Sequence, residues 1–514
     1  MSLEVLSPPP PPLGPEFDHG GLAADTLPPD YQPQALEHEV SLGRSHAPLA
    51  PSAPSRLLPS ALGGTDEVIR GTTKHSYHLE ADGHKWLTLN VLSQARVETS
   101  LPVFVGQKSI ITGSVEVDLK KTEKIKSITI SVVGGTTFVG QDEILFLNLE
   151  QTLWGGDKKG QKSSGSLQGH HSWSFEFTLP NEVTIPNPGK GHVKEAFPLP
   201  PYYTERASPA YLDYRISVNV RRGFLKMTNK LSKPFAFVPF TVADPPSFLR
   251  QMVYQEMGSK LLGPEADPDG WRVLPPVLVK GTLFSIKEVE VKCTLAIATP
   301  LSYAIGTPIP LILTLESDDA QALDVLSAPT AITVYLVRTL ATGSDATEIG
   351  VQRRSNNYFE TGVSQAYFWL VEGASNPHDD SSIDRVTLET VHSAGSGGKS
   401  LSKRVLHGEI EVMRGLKPSF VFPRFTIRYQ LDLLPFSAPG YTPAQAEQFG
   451  IMGTGQSSAL LSEPVSITTA PPPGVVARSY APPGYVKPPA GDYNKSVGLL
   501  ENGNQRFYHH HGGW

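Results

Sequence analysis

Hydrophobic and polar residues alternate in many short runs between Trp86 and the last fifty residues of the chain. The clearest runs lie at residues 87–91, 111–119, 128–132, 173–179, 214–220, 289–295, 309–315, 332–336, 410–412 and 425–433. An alternation of period two is typical of strands with one buried face. Many such strands between glycine- and proline-containing turns, without helices in between, favour antiparallel sandwiches. We therefore predict an all-β fold of two tandem immunoglobulin-like β-sandwiches with disordered N- and C-terminal tails.

One segment, residues 247–262, has helical spacing instead. It follows two prolines, and Ser247 is a candidate N-cap. Its apolar positions are Phe248, Leu249, Met252, Val253, Met257 and Leu261. We expect this face to pack against a domain rather than to lie on a membrane, because Arg250, Glu256 and Lys260 do not form a strongly basic opposite face.

The same patterns divide the chain into five segments. We predict a disordered proline-rich arm at 1–84, the first sandwich at 85–245, the helix and a linker at 246–285, the second sandwich at 286–470 and a disordered proline-rich tail at 471–514. Within the second sandwich, 372–400 is rich in Ser, Gly and Asp and predicts a long loop, and 437–458 is a second candidate.

Composition narrows the classes of function. The net charge of −6 and the pI near 6.2 do not indicate a basic surface for binding nucleic acid over the whole molecule. The single cysteine, Cys293, cannot form an intramolecular disulfide and fits a reducing compartment. Residues 1–15 lack the basic start and apolar core of a secretion signal, and no apolar run is long enough to span a membrane. A cytoplasmic protein is expected.

Three Pro-Pro-x-Tyr motifs stand out against this background. They lie at residues 28–31, 200–203 and 482–485. With 47 Pro and 17 Tyr in 514 residues, independent placement predicts roughly 0.14 matches. Clustering of the prolines raises that figure, but not readily to three.

The chemistry of this motif indicates a binding partner. Consecutive prolines hold φ near −65° and prepare a polyproline II ribbon that fits an aromatic slot. The tyrosine that follows fills a second pocket, which is how WW domains recognise peptides. The residues assigned to WW-domain binding are Pro28, Pro29 and Tyr31 in the N-terminal arm and Pro482, Pro483 and Tyr485 in the tail.

The order of the strands resembles that of the arrestin family over residues 86–470. The matching segments of the first half are 103–106 (VFVG), 111–117, 124–130 (KIKSITI), 133–134, 169–180 and 214–218; those of the second half are 303–315 and 427–431 (IRYQL). With Pro-Pro-x-Tyr motifs in its tails, the chain is similar to the α-arrestins, which are arrestin-related trafficking adaptors.

That resemblance implies an arrestin fold and a role as an adaptor. Such a protein recognises a plasma-membrane transporter or receptor as its cargo, and its tail recruits a HECT-type ubiquitin ligase through the WW domains of the ligase. Ubiquitylation then sends the cargo into endocytosis. The resemblance implies a cytoplasmic protein that is recruited to the plasma membrane or endosomes, with no cofactor of its own.

The chain departs from this pattern at two places. The motif at 200–203 precedes a predicted strand of the first sandwich, so we interpret it as a structural loop, because groove binding needs the ribbon to be free on both faces. The arginine that senses phosphate in visual and β-arrestins cannot be assigned among Arg215, Arg221 and Arg222, so activation by phosphorylation is not carried over.

A cluster of lysines is a further candidate site. Lys120, Lys121, Lys124 and Lys126 lie in and beside a predicted loop between strands. Two interpretations stay open: a solvated hairpin tip, or a basic patch for an acidic cargo tail or anionic lipid.

Catalysis and metal binding are not expected. The histidine pair at 170–171 and the histidine triplet at 509–511 lack further ligands at metal spacing. No glycine-rich phosphate loop lies between a strand and a helix, and Cys293 lies in a strand pattern that predicts a core position.

Two alternatives remain, the first within the adaptor class and the second from a different class of protein. An arrestin-fold scaffold for signalling, for example in ambient-pH sensing, would bind partners without recruiting a ligase. A cell-surface adhesion module built on immunoglobulin-like sandwiches would need secretion and usually disulfides, and the single cysteine counts against it.

Overall fold

Strands form nearly all of the regular structure. The computed structural model describes residues 73–95, 99–138, 140–155, 165–205, 208–223, 228–256, 259–349, 357–370, 401–444 and 459–485. Two α-helices lie in this part of the chain, α1 (Phe248–Gln255) and α2 (Ala320–Leu326). The protein is therefore all-β, as the alternation predicts. Most of the predicted arm at 1–84 and the predicted loop at 372–400 lie outside the described residues.

Ten strands form the first sandwich in the part of the chain that the structure describes. They are β1 (Thr73–Ala81), β2 (His84–Ser93), β3 (Val103–Val105), β4 (Ile110–Phe138), β5 (Ile144–Gly155), β6 (Ser166–Thr178), β7 (Glu182–Asn187), β8 (Val193–Pro198), β9 (Ala210–Arg222) and β10 (Asn229–Val238). Strands β7 and β8 form a separate hairpin. The other eight are connected through β4, so that one strand holds the hydrogen-bond network of this half together.

Strand β4 belongs to both layers. Its first half pairs with β2 and β6, and its second half pairs with β5 and β9. The pairing with β6 shifts between Leu119 and Glu123, where a bulge bends the strand from one layer into the other. The alternating runs at 111–119 and 128–132 are therefore two halves of one 29-residue strand, and the loop predicted between them is wrong.

The first sandwich begins earlier than predicted. Strand β1 pairs with β2 through a two-residue turn at Asp82 and Gly83, both with positive φ. An Asp-Gly pair between alternating runs is a strong hairpin signal, because both central residues of the favoured turn need positive φ. The expectation of a disordered arm reaching residue 84 is thus wrong for residues 73–84.

Among the described residues, the second sandwich has two sheets of seven and five strands. Its strands are β11 (Trp271–Val273), β12 (Val277–Leu283), β13 (Lys287–Ala298), β14 (Ser302–Ala304), β15 (Pro308–Ser317), β16 (Val334–Gly343), β17 (Tyr358–Gln365), β18 (Tyr367–Leu370), β19 (Ser402–Glu411), β20 (Arg424–Leu433), β21 (Tyr441–Pro443) and β22 (Leu461–Thr468). The larger sheet runs β18-β19-β15-β13-β12-β21, with β11 also on β13; the smaller runs β14-β22-β20-β16-β17. Because β11 and β12 pair with β13, this sandwich starts at Trp271 rather than at residue 286.

The cores follow the alternation. In β13 the inward positions Val291, Cys293 and Leu295 are fully buried, as are Leu311 and Leu313 of β15. Cys293 is therefore a core residue, as predicted, and its burial raises the pKa of the thiol to about 12.

Helix α1 begins as predicted but buries a different face. Ser247 is the N-cap, and its side chain accepts a hydrogen bond from the backbone N–H of Arg250. The helix ends at Gln255, however, and Phe248 and Met252 are 74% and 51% exposed. The buried side chain is Arg250, whose guanidinium lies 4.6 Å from the ring centroid of Trp271 and donates to the carbonyl of Thr299. The expected packing of the apolar face is therefore wrong for Phe248 and Met252, because the helix turns Arg250 toward Trp271 instead.

We predict that Gly113→Ala destabilises the first sandwich. Gly113 lies on β4 between β2 and β6, and an added Cβ would come within 2.0 Å of the Asn90 carbonyl oxygen and 2.6 Å of the Phe175 ring. Forcing a methyl group into such a space costs about 2 kcal/mol. The thermal unfolding midpoint, followed by circular dichroism, should fall clearly.

The matched control is Gly415→Ala. Gly415 has no positive φ, and a Cβ added there would have no heavy atom within 4 Å beyond its chain neighbours. That variant should unfold at or slightly above the wild-type midpoint. Equal midpoints for the two variants would show that the close packing around Gly113 is wrong.

Candidate functional site

The described Pro-Pro-x-Tyr motif of the tail lies on the surface of the second sandwich. Pro482, Pro483 and Gly484 are exposed, whereas Tyr485 is half-buried. The N-terminal motif with Pro28, Pro29 and Tyr31 lies outside the described residues. The structure therefore places only one of the two candidate WW-binding motifs.

The tail motif forms a tight turn. The Tyr485 N–H donates to the Pro482 carbonyl at 3.0 Å, and Gly484 has a φ of +79°. Proline at the second position and glycine with positive φ at the third are the residues that a type II turn requires. The segment is thus bent at Gly484 and is not an extended ribbon there.

The Tyr485 ring lies on two aromatic side chains of β18. It stacks on Tyr367 with a centroid distance of 5.5 Å and an interplanar angle of 22°, and it lies 6.0 Å from Trp369. Its hydroxyl donates to the Phe368 carbonyl at 2.9 Å. We call this surface, formed by the Tyr367 and Trp369 rings and the Phe368 carbonyl, the aromatic shelf. Burial there raises the pKa of Tyr485.

The shelf sits at the edge of the larger sheet because β18 is its terminal strand. Tyr367 and Trp369 alternate with Phe368, so the first two point to one face and Phe368 points into the core, where it is 1% exposed. Tyr367 and Trp369 are 6% and 8% exposed. The Tyr485 ring of the tail contributes to the burial of both side chains.

A buried carboxylate holds the residues just before the motif. Glu409 of β19 is 2% exposed and lies opposite Tyr367 in the strand register. It accepts hydrogen bonds from the Tyr367 hydroxyl, the Ser479 hydroxyl and, at 3.0 Å, the Tyr480 N–H. Two of these three donors come from the tail.

Helix α1 anchors the tail on its other side. The Arg478 guanidinium donates to the carbonyls of Val253 at 2.6 Å and Ser259 at 3.2 Å. The Tyr480 ring stacks on Tyr254 with a centroid distance of 6.0 Å. The end of the helix therefore forms part of the surface on which the tail lies.

These contacts correct the expectation of a free tail from residue 471. Residues 471–485 pack on the second sandwich and on α1, and the Ala243 N–H donates to the Ala470 carbonyl just before them. Sequence reasoning does not identify the residues that hold the tail. Their one local signal is the aromatic run Tyr-Phe-Trp at 367–369, and its partner lies more than 100 residues further along the chain.

The motif at 200–203 is part of the first sandwich, as predicted. Pro200 and Pro201 are buried and Tyr203 is fully buried. The Pro200 carbonyl accepts a hydrogen bond from the Tyr214 hydroxyl at 2.5 Å, and Tyr203 forms a bridge to Leu212. A WW domain cannot reach either proline without unfolding this loop.

Tyr203 also forms part of the contact between the two sandwiches. Its ring lies 5.0 Å from that of Phe425, and its hydroxyl donates to Glu205 at 3.0 Å. Glu205 in turn pairs with Arg338 of β16, with an N–O distance of 2.8 Å. Burial in this contact raises the pKa of Tyr203 well above its usual value.

The four candidate lysines lie on β4 rather than on a loop. Lys120, Lys121, Lys124 and Lys126 are all exposed, at the bend where the strand passes between layers. The interpretation as a hairpin tip is therefore wrong, because the four lysines lie within one continuous strand. The lysines nevertheless form an exposed basic row, so a basic patch for cargo or lipid stays a prediction.

The histidines and carboxylates of the described residues form no group of three or more that could hold a metal ion. His171 instead stacks on Trp173 with a centroid distance of 5.7 Å, and its Nε2 lies 3.0 Å from the Gln168 carbonyl. The histidines at 509–511 lie outside the described residues.

The comparisons with known proteins leave the family open. No protein-family model matches the chain. No curated protein matches it significantly. Among the described residues, no helix is both long enough and apolar enough to cross a bilayer.

We predict that Tyr203→Ala destabilises the protein by about 3 kcal/mol or more, because it removes a fully buried aromatic ring. Tyr203→Phe keeps the ring and loses the hydroxyl with its bond to Glu205, so it should cost about 1 kcal/mol. Urea unfolding of both variants measures the difference. Equal stability of Tyr203→Ala and wild type would contradict the structural role of this motif.

Proposed function

We propose that this protein is a cytoplasmic adaptor that binds a membrane transporter or receptor and recruits a HECT-type ubiquitin ligase. The ligase binds through its WW domains to the Pro-Pro-x-Tyr motifs at 28–31 and 482–485. Ubiquitylation of the bound cargo then promotes its endocytosis from the plasma membrane or endosomes. The adaptor contributes no catalytic chemistry of its own.

The observation that carries this proposal is the placement of the tail motif. Pro482 and Pro483 are exposed at the surface of a body made of two sandwiches, and the motif is held there only by non-covalent contacts. The buried motif at 200–203 lacks this exposure. The order of strands that resembles the α-arrestins supports the same function.

Two motifs serve better than one because a single WW contact is weak. A dissociation constant of tens of micromolar corresponds to about −6 kcal/mol. Two motifs on one chain can engage a ligase that carries several WW domains, and tethering can then raise the avidity about 100-fold or more. The adaptor acts by raising the concentration of the ligase near lysines of the cargo.

A basic surface of the first sandwich is the candidate contact for the cargo. The exposed row of Lys120, Lys121, Lys124 and Lys126 can attract an acidic cargo tail or anionic lipid, with about 1 kcal/mol per charge near a membrane surface.

We predict that the double variant Tyr31→Ala and Tyr485→Ala loses capture of a WW-domain ligase in a pull-down. Each single variant should retain weaker capture, because one motif is left and the avidity is lost. The tyrosine is the residue that fills the second WW pocket, so its removal is the most direct test.

Tyr493→Ala is the matched control, because Tyr493 lies in the same tail without prolines two and three positions before it. It should capture the ligase as the wild type does, and circular dichroism should show that all variants are folded. Full capture by the double variant would refute ligase recruitment through these motifs and would favour the signalling scaffold.

A further inference from the structure

The shelf and Glu409 have the properties of a built binding site. Glu409 is buried, and a buried carboxylate needs hydrogen-bond donors to offset the loss of water. Without the tail it would keep the Tyr367 hydroxyl but lose the Ser479 hydroxyl and the Tyr480 N–H. Tyr367 and Trp369 would lose the Tyr485 ring at the same time. The tail thus supplies hydrogen-bond donors to a buried carboxylate and also covers two aromatic rings of the second sandwich.

The geometry at this site differs from the one a WW domain reads. WW domains bind an extended polyproline II ribbon with the tyrosine in a pocket of their own. On the shelf, Gly484 has positive φ, the Tyr485 N–H bonds back to Pro482, and the Tyr485 hydroxyl is bonded to Phe368. A single tyrosine cannot occupy both pockets.

We infer that the aromatic shelf and Glu409 form a binding site for the chain's own Ser-Tyr-Ala-Pro-Pro-Gly-Tyr segment, residues 479–485, and that this site competes with WW domains for Tyr485. The existence of the site stands on the contacts above. The competition rests on the proposed function.

The size of the effect follows from the population of the docked state. The apparent affinity of a ligand falls by the fraction of the protein that is competent to bind it. If the tail is docked nine-tenths of the time, the WW domain binds about tenfold more weakly than it binds a free peptide of the same sequence. Substitutions that release the tail without changing residues 482–485 should strengthen WW binding by the same factor.

Docking is tested first, without any ligase. The variant Arg478→Ala with Ser479→Ala removes the guanidinium bonds to Val253 and Ser259 and the hydroxyl bond to Glu409. It keeps the Tyr480 N–H bond to Glu409 and leaves the motif intact. Hydrogen exchange of the full chain, read by mass spectrometry over residues 478–485, should show protection in the wild type and its loss in the variant. A wild-type tail that exchanges as fast as a free peptide would overturn the site.

Competition is tested with one recombinant WW domain that reads Pro-Pro-x-Tyr. All chains carry Tyr31→Ala, so that only the tail motif binds. Isothermal calorimetry compares the full chain, the same chain with Arg478→Ala and Ser479→Ala, and the free peptide 476–489. The chain with Arg478 and Ser479 unchanged should bind the WW domain at least about fivefold more weakly than the substituted chain and the free peptide do. The two substitutions are also placed in the free peptide, where they should leave the affinity unchanged if they act only through docking.

The outcomes separate the two proposals. Protection of the tail together with equal WW affinities for chain and peptide would overturn the competition but leave the binding site. Protection with no WW binding to either chain or peptide would refute the proposed ligase recruitment, and with it the competition, and would again leave the binding site. Protection with the expected difference in affinity supports both.

Discussion

A buried carboxylate must receive hydrogen bonds, and the organisation around the tail depends on this requirement at Glu409. The residue lies within the larger sheet of the second sandwich, yet two of its donors come from a segment that begins some seventy residues later. Hydrogen bonds to carboxylate groups are among the stronger ones in proteins. These bonds hold the docked tail against the sheet, and they place Tyr485 on the aromatic shelf.

The two described motifs of the same type show how context decides what a short sequence does. At 200–203 the prolines and tyrosines are built into the first sandwich and the contact with Phe425. At 482–485 the prolines remain exposed and only the tyrosine is held. The same spacing thus supplies core packing in one place and a surface segment in the other. Burial of the prolines, rather than the motif itself, separates the two roles.

Much of the fold could be predicted because alternation reports directly on a half-buried sheet. The positions of Cys293, the Ser247 cap and most strands follow from local patterns. Features that depend on distant partners could not be found in this way: the buried face of α1 is set by Arg250 on Trp271, and the site for Tyr485 is set by β18 and β19. Strand β1 is a different case, since its Asp-Gly turn is a local signal that the proline-rich composition of the preceding arm obscures.

Strand β4 gives the first sandwich an unusual mechanical property. Because one continuous backbone supplies hydrogen bonds to both layers, neither layer can separate from the other without breaking its own central strand. Loss of order at the bend near Leu119 and Glu123 would reach both sheets at once. We therefore expect the two layers of the half of the molecule that carries the four lysines to unfold together.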